Sequence, residues 1–378
     1  MAFRFLHTSD WQMGMKGSGL GSAAEAVSRA RLESLDRLLT LAEEKGVDAV
    51  LAAGDLFEKN DVADEIVEAV GAILRRHSAI PIHAIPGNHD LAGPGSVWNR
   101  NAVNDMEHFH LHRDFEPVDI AEGVVLHPCP VKSIHGQKDV LADIPDLTGD
   151  PRIHVALAHG HLLGQIFDDH EKGVSLPLDP AHVERSGLDF LALGHWHGLR
   201  RVAGADGVVR IAYSGTHEQT HWREREAGYV LLVDIEKKAA PPHLEALRTG
   251  ALTWSREAFR FEEDRHVNRL QELLNGRTED ILHLSLEGEI PLDLEADLET
   301  CLRNEEARRT GLLVDRRGLR ILTDDASLPE GAQLDPALEL VRKRLAEAID
   351  AAGDDEERHI LLEAARLYRR FLTEEARG

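Results

Sequence analysis

VDAVLAAGD, residues 47–55, is a run of small and branched apolar residues that ends on a glycine and a carboxylate. A short apolar run bounded by turn signals reads as a buried strand. Four other stretches repeat the pattern: FRFLHTSD (3–10), IPIHAIPGNHD (80–90), IHVALAHG (153–160) and LDFLALGHWH (188–197). Helical spacing separates the first three runs. Leu32, Leu35, Leu38, Leu39 and Ala42 precede residues 47–55, and Ile66, Val67, Val70, Ile73 and Leu74 precede residues 80–90. Strands alternating with amphipathic helices predict a layered α/β domain. In open α/β sheets ligands bind beyond the carboxyl ends of the strands. One sheet edge therefore gathers Asp10, Asp55, Asn88, His89, Asp90, His159, His195 and His197. This is an oxygen and imidazole set without thiolate, suited to divalent cations.

The rest of the 378-residue chain allows two or three domains. VVRIAYSG (208–215) and GYVLLVDIE (228–236) read as further strands that complete a first domain over residues 1–236. KKAAPP (237–242) reads as a connection. Residues 243–328 predict a small α+β domain. In it Val267, Leu270, Leu273 and Leu274 form one helix face, ILHLSLEG (281–288) a strand, and Leu294, Leu298 and Leu302 a second helix face. GLLVDRRGLRIL (311–322) is expected to be a pair of short strands. Residues 335–378 predict two amphipathic helices, with Leu338, Val341, Leu345 and Ile349 on one face and Leu361, Ala364, Leu367 and Phe371 on the other. These stripes either dock on the same chain or present a partner surface.

Charge narrows the classes. With 43 basic against 67 acidic residues the net charge is −24, which argues against holding nucleic acid by bulk attraction. A metal site that neutralises phosphate locally, or a basic partner subunit, is compatible with it, as is a small substrate. No stretch approaches the roughly 20 apolar residues of a membrane helix, and no signal peptide is seen. Cys129 and Cys301 lie far apart, so a cytoplasmic setting without a structural disulfide is expected.

Two cations about 3.5–4 Å apart can clamp the attacking and leaving oxygens of a displacement at phosphorus. Such a pair needs a bridging anion. Asp55, turned off its strand by Gly54, is the natural choice, and Asp10, Asn88, His159, His195 and His197 fill the outer positions.

SDWQMG (9–14), GDLFE (54–58), GNHD (87–90), AHG (158–160) and GHWH (194–197) stand in the order of the calcineurin-like metallophosphoesterases. Within them the chain most resembles the SbcD-type DNA repair exonucleases, which pair with SbcC-type ATPases. The resemblance implies a four-layer αββα sandwich, a small capping domain and C-terminal helices that bind the ATPase. It implies two divalent ions, most often manganese, one held by Asp10, Gln12, Asp55 and His197 and the other by Asp55, Asn88, His159 and His195. His89 is similar to the family's catalytic histidine, with Asp90 expected to orient it, and a water activated by the ion pair would attack. DNA exonuclease and endonuclease activity, and a homodimer through helices such as the one carrying Val62 to Leu74, follow as expectations. One motif departs. The family's DxH reads Asp10-Trp11-Gln12 here, and a neutral amide oxygen is a weaker ligand for transition metals than imidazole. Gln12 is expected to ligate, with a weakly filled first position as the alternative.

Each candidate also has a bland explanation. Of 22 histidines, His7, His83, His127, His154 and His161 read as packing or surface residues. His217 and Trp11 are candidate substrate contacts, with Trp98 and His221 beside them. GSGLG (17–21) lacks the GK[ST] ending of a phosphate loop. Two functions compete with a nuclease. One is a small-molecule or nucleotide phosphodiesterase, favoured by the acidic charge; the other is a weakly active regulatory subunit of an SbcC-like ATPase, favoured by Gln12.

Overall fold

The computed structural model describes residues 2–15, 17, 19–164, 175–262, 267–291, 294–322, 336–353, 357, 360–361, 364–365 and 367–368. The chain divides into two compact units, Met1–Trp254 and Ser255–Gly378.

In chain order the first unit carries β1 (Phe3–Thr8), α1 (Ala24–Lys45), β2 (Ala49–Ala53), α2 (Asp64–Arg76), β3 (Ile82–Ile85), α3 (Asn101–Asn104), β4 (Phe109–Leu111), β5 (Val118–Ala121), β6 (Val124–Cys129), β7 (Ile153–His159), β8 (His161–Leu162), β9 (Pro177–Leu178), α4 (Ala181–Ser186), β10 (Phe190–Gly194), β11 (Arg200–Ala203), β12 (Val209–Tyr213), β13 (Tyr229–Ile235) and β14 (His243–Arg248). Two six-stranded sheets result, ordered β14-β13-β1-β2-β3-β4 and β11-β12-β10-β7-β6-β5. Their centres are parallel: β1 pairs with β2, β2 with β3, β6 with β7 and β7 with β10 in that sense. Residues 237–242 are the turn between antiparallel β13 and β14, so the first unit takes in β14 and runs on to Trp254.

Side-chain alternation explains why the sheets stack. Successive residues of a strand point to opposite faces. On β1 and β2, Leu6, Val50 and Ala52 join the core shared with Leu35, Leu38 and Leu39 of α1 and Val67, Val70 and Leu74 of α2. Phe3, Phe5, Ala49, Leu51 and Ala53 face the other way and meet Val155, Leu157, Phe190 and Ala192 of the second sheet. That sheet's outer residues, among them Ala156, Leu191 and Leu193, pack against Val183 of α4 and Leu141. Three cores between four layers give the αββα sandwich. The apolar stripe of α2 is spent on the chain's own core.

The second unit contains β15 (Trp254–Phe261), α5 (Val267–Asn275), β16 (Ile281–Pro291), α6 (Glu295–Arg308), β17 (Gly311–Leu322) and α7 (Pro336–Ala351). Its sheet is β15-β16-β17, and Leu270, Leu274, Leu298 and Leu302 cover it from the helices. Residues 311–322 correct the expectation of two short strands. They form one strand parallel to β16, with a bulge where Ser285↔Asp315 is followed by Glu287↔Gly318. Arg316-Arg317-Gly318 looks like a turn in sequence. The structure keeps it extended because Asp315 accepts from the Arg317 backbone and guanidinium and Arg316 pairs with Glu299. Of the C-terminal stripes, Leu338, Leu345, Ile349, Leu361 and Ala364 are half-buried, whereas Val341 and Leu367 are exposed, as are Leu340 and Ile360 beside them. Phe371 lies outside the described residues. Cys129 and Cys301 are both buried and free. Among the described residues no helix is long and apolar enough to cross a membrane.

Candidate metal centre

The carboxyl ends of both sheets meet at one place. Asp10 follows β1, Asp55 follows β2 and Asn88 follows β3; His159 ends β7, and His195 and His197 follow β10. Gly194 allows the sheets to close on each other, and Gly87 allows the turn after β3 to approach the one after β2. A Cβ on Gly194 would lie 2.0 Å from the Ala53 carbonyl, and one on Gly87 would lie 2.1 Å from Asp55 Oδ1. Across this junction His159 Nδ1 donates to the Ala53 carbonyl at 2.8 Å, tying the second sheet to the first.

The first two motifs run side by side. Asp10 N donates to the Gly54 carbonyl, Gln12 N to that of Asp55 and Met13 N to that of Leu56. This requires unusual backbone. Among the described residues seven non-glycine positions have positive φ, and four of them, Asp10 (51°), Gln12 (42°), Asp55 (53°) and His195 (103°), are site residues. Left-handed backbone on non-glycine residues is costly and concentrates at functional sites.

Asp10, Asp55 and His159 each offer a ligand atom, all within 4.8 Å of one another, and all three are buried. His159 Nε2 lies 3.2 Å from Asp55 Oδ2 and 3.0 Å from Asn88 Oδ1. Asp10 takes the His195 backbone N–H on both oxygens at 3.1 Å. The His195 ring stands edge-on to His159, centroids 5.2 Å apart. On the other side Gln12 Nε2 lies 2.9 Å from His197 Nε2, while His197 Nδ1 donates to Glu224 Oε1 at 2.7 Å. Direct contacts thus link Asp10, Asp55, Asn88, His159 and His195 on one side, and Gln12 with His197 on the other.

Donor chemistry and charge fit a divalent cation. Two nearly solvent-free carboxylates with few cationic partners are expensive. Burial raises the Asp10 carboxyl above its usual range despite nearby His159 and His197. Asp55 is held low: burial opposes its charge, and His159 outweighs burial. Burial also opposes charge on His159 and His197, but Asp55 raises the first and Glu224 the second, each to about 9. Protons thus stand where cation charge fits, and the imidazole nitrogens facing the cluster are both Nε2.

His89 lies at the edge of this cluster with a side chain 40% exposed and Nε2 4.0 Å from Asp55 Oδ2. Its orientation corrects one expectation. Nδ1 donates to the Glu58 carbonyl at 2.9 Å, not to Asp90. The Asp90 carboxylate instead accepts from the backbone of Gly87, Leu56 and Phe57. Burial and Asp55 push it up to about 7. Asp90 shapes the two loops and is not the partner of His89.

The expected substrate contacts are also corrected. Trp11 is 1% exposed with its indole N–H on Thr8, and His217 is 0% exposed with Nε2 on the Arg31 carbonyl. Both are framework, as is Trp98, whose indole donates to the Asp90 carbonyl. His7, His83, His127 and His154 are buried, as their packing assignment requires. The sequence did not single out Glu224. In WRERE it looks like one more solvated charge, and only the fold brings it to His197.

The sequence profile described as calcineurin-like phosphoesterase matches residues 3–199. The chain belongs to the calcineurin-like phosphoesterases. This phosphoesterase is 25% identical to an SbcCD nuclease subunit of Bacillus subtilis (strain 168) over 276 residues, 61% of this chain and 65% of that protein. It is 23% identical to the metallophosphoesterase YhaO of the same organism over 287 residues, 71% of this chain and 66% of that one. It is 27% identical to the DNA double-strand break repair protein Mre11 of Methanopyrus kandleri over 215 residues, 51% of this chain and 44% of that one. The phosphoesterase thus spans just under two thirds of the first two relatives' length. Among solved structures it is similar to a dimetal phosphatase from Danio rerio, with 12% identity and a TM-score of 0.41 over 64% of this chain and 98% of that one.

Proposed function

We propose that this phosphoesterase is a divalent-metal-dependent DNA nuclease, with exonuclease and endonuclease activity, serving an SbcC-like ATPase in cytoplasmic DNA repair and recombination. The observation that carries the proposal is the convergence of Asp10, Asp55 and His159 within 4.8 Å. The SbcCD nuclease and Mre11 relatives support the substrate. Asp10, Gln12, Asp55 and His197 would hold one ion, and Asp55, Asn88, His159 and His195 the other, with manganese suited to the mixed oxygen and imidazole set. The pair supplies the positive charge that acidifies a water and neutralises the phosphate.

The chain supplies the rest. His159 and His197 each tie Nδ1 to a fixed acceptor and turn Nε2 inward, so both rings are set before any ion arrives. His89 has the same polarity: a carbonyl can only accept, so Nδ1 carries one hydrogen, and Nε2 would pass a proton to the leaving oxygen only from the doubly protonated ring, which is left neutral. Leu340 and Val341 of α7, with Ile360 and Leu367, give the exposed apolar groups that an ATPase partner would cover. A homodimer completes the proposed assembly.

Purified protein with manganese is expected to degrade linear DNA, and Asp55→Ala and His89→Ala to lose that activity. Equal activity in both variants would defeat the assignment. The net charge of −24 favours a second substrate class, small phosphodiesters. Turnover of cyclic nucleotides or aryl phosphodiesters far above that of DNA would select it.

A further inference from the structure

The loop after β12 carries a side-chain arrangement that the metal centre does not use. The Arg223 guanidinium carbon lies 4.7 Å from the centre of the Trp222 ring, and the His221 ring lies 5.0 Å from the same indole, tilted by 32°. Trp222 is half-buried and Arg223 is exposed. The Arg223 backbone N–H donates to His221 Nδ1 at 3.2 Å, which fixes the order of the three residues.

Glu224 locks this loop to the site. Its carboxylate accepts from Thr220 N (2.7 Å), Thr220 Oγ1 (2.8 Å) and His221 N (3.1 Å), and also from His197 Nδ1. One half-buried carboxylate therefore positions an expected metal ligand and the turn before Trp222. Past Glu224 the loop runs beside the segment that follows His197. Leu199 N donates to the Glu226 carbonyl at 2.9 Å, and a Cβ on Gly198 would lie 2.6 Å from the Arg225 carbonyl. Arg201, Arg223 and Arg225 are all exposed on these two adjacent segments. None of the three has a carboxylate partner within 4.0 Å among the described residues.

We propose that the Trp222–Arg223 stack is a contact for single-stranded DNA, with a base lying on the stacked planes and the guanidinium edge on the backbone phosphate. The inference takes its location from the nuclease reading above, but the contact needs no hydrolysis. Stacking on an indole holds the guanidinium flat, which keeps its N–H edge pointed outward. Aromatic faces bind bases without sequence preference, and arginines beside them track the backbone. In a chain of net charge −24, Arg201, Arg223 and Arg225 beside the metal centre give the local positive surface that bulk charge denies. A strand end bound at the centre would lie beside this loop, because Glu224 joins the two.

The test is fluorescence anisotropy of the full chain with a labelled oligothymidylate in EDTA, where nothing is cleaved. Trp222→Ala is expected to weaken binding at least about fivefold, the effect of losing one stacked base. Arg223→Gln is expected to lower the slope of log affinity against log salt by about 0.7, the share of one phosphate contact on a single strand. Arg152→Gln, the same charge change at a residue paired with Asp150 and Asp119, is expected to match the wild type. Arg223 is exposed, so its variant carries the test even where Trp222→Ala folds poorly. Binding by both variants within twofold of the wild type, or no binding by the wild type, overturns the proposal. Trp222-dependent binding without manganese-dependent cleavage keeps the contact and overturns the nuclease. Cleavage with unchanged binding in both variants does the reverse.

Discussion

The two halves of the metal centre are built differently. Around Asp55, a carboxylate, an imidazole and an amide oxygen touch directly, His159 is anchored to the neighbouring sheet, and the three lie at or just past the ends of β2, β3 and β7. Around Gln12, a neutral amide faces His197, and that imidazole is anchored by Glu224 on a loop. Sheet ends are rigid because their neighbours in the ladder hold them, whereas a loop is only as fixed as its hydrogen bonds. The comparison teaches that anchoring by the sheets is concentrated on the His159 side of the centre and thinned on the Gln12 side.

The largest effect that would sharpen this contrast comes from taking one residue from each half. Removing a side chain that merely supports a ligand typically costs about 10–100-fold, so losing a ligand on the strong side should cost more than about 100-fold. His159→Gln is expected to lose activity by at least that factor, and Gln12→Ala by less than about 10-fold. Equal losses in manganese-dependent phosphodiester hydrolysis would erase the distinction between the halves.

A smaller effect reverses the asymmetry. Gln12→His places imidazole opposite His197 and restores the family's DxH spacing. The weaker ion should then bind roughly 10–100-fold more tightly, the range that ligand-environment changes produce. Manganese titration by calorimetry, read as the second of two binding steps, checks this; an unchanged second step would mean that Gln12 does not face the ion.

The smallest effect separates two of the site's histidines, His159 and His197, from the framework's; burial lowers the third, His195, to about 3 like the framework ones. His159 and His197 have carboxylate neighbours and are raised, while His7 and His217 are buried without such neighbours and are each lowered to about 3. A histidine lowered in the native state refuses a proton that the unfolded chain accepts below about 6.5. Stability is then lost as pH falls from about 6.5 towards 3, because the unfolded state binds more protons in that window. The melting temperature should drop between pH 6.5 and 4, and His7→Gln should drop less over the same interval. A parallel pH profile for the variant would remove His7 from the acid response.

Legibility in the sequence followed how local each cause was. The five strands and their terminal candidate ligands were visible because an apolar run and a polar end lie within about ten residues of one another. Asp90 misled because adjacency to His89 suggested a partnership; the carboxylate turns back to three backbone amides, and a carbonyl of a distant loop takes the histidine instead. Trp11 and His217 misled for a related reason. Both flank the centre in sequence, but each turns into the protein beneath it. In residues 311–322 a composition typical of a turn gave way to side-chain bonds that keep the strand straight through its bulge.

What the chain determined alone is the layered sandwich and the identity of the residues at its edge, since strand alternation and apolar spacing are properties of consecutive residues. Only the folded structure decided which atoms of those residues face one another. Glu224 reaching His197, Glu58 setting the ring of His89 and Gly194 admitting the Ala53 carbonyl all join segments far apart in the chain. Such contacts depend on how two sheets pack, and packing is a property of surfaces that no stretch of sequence carries by itself.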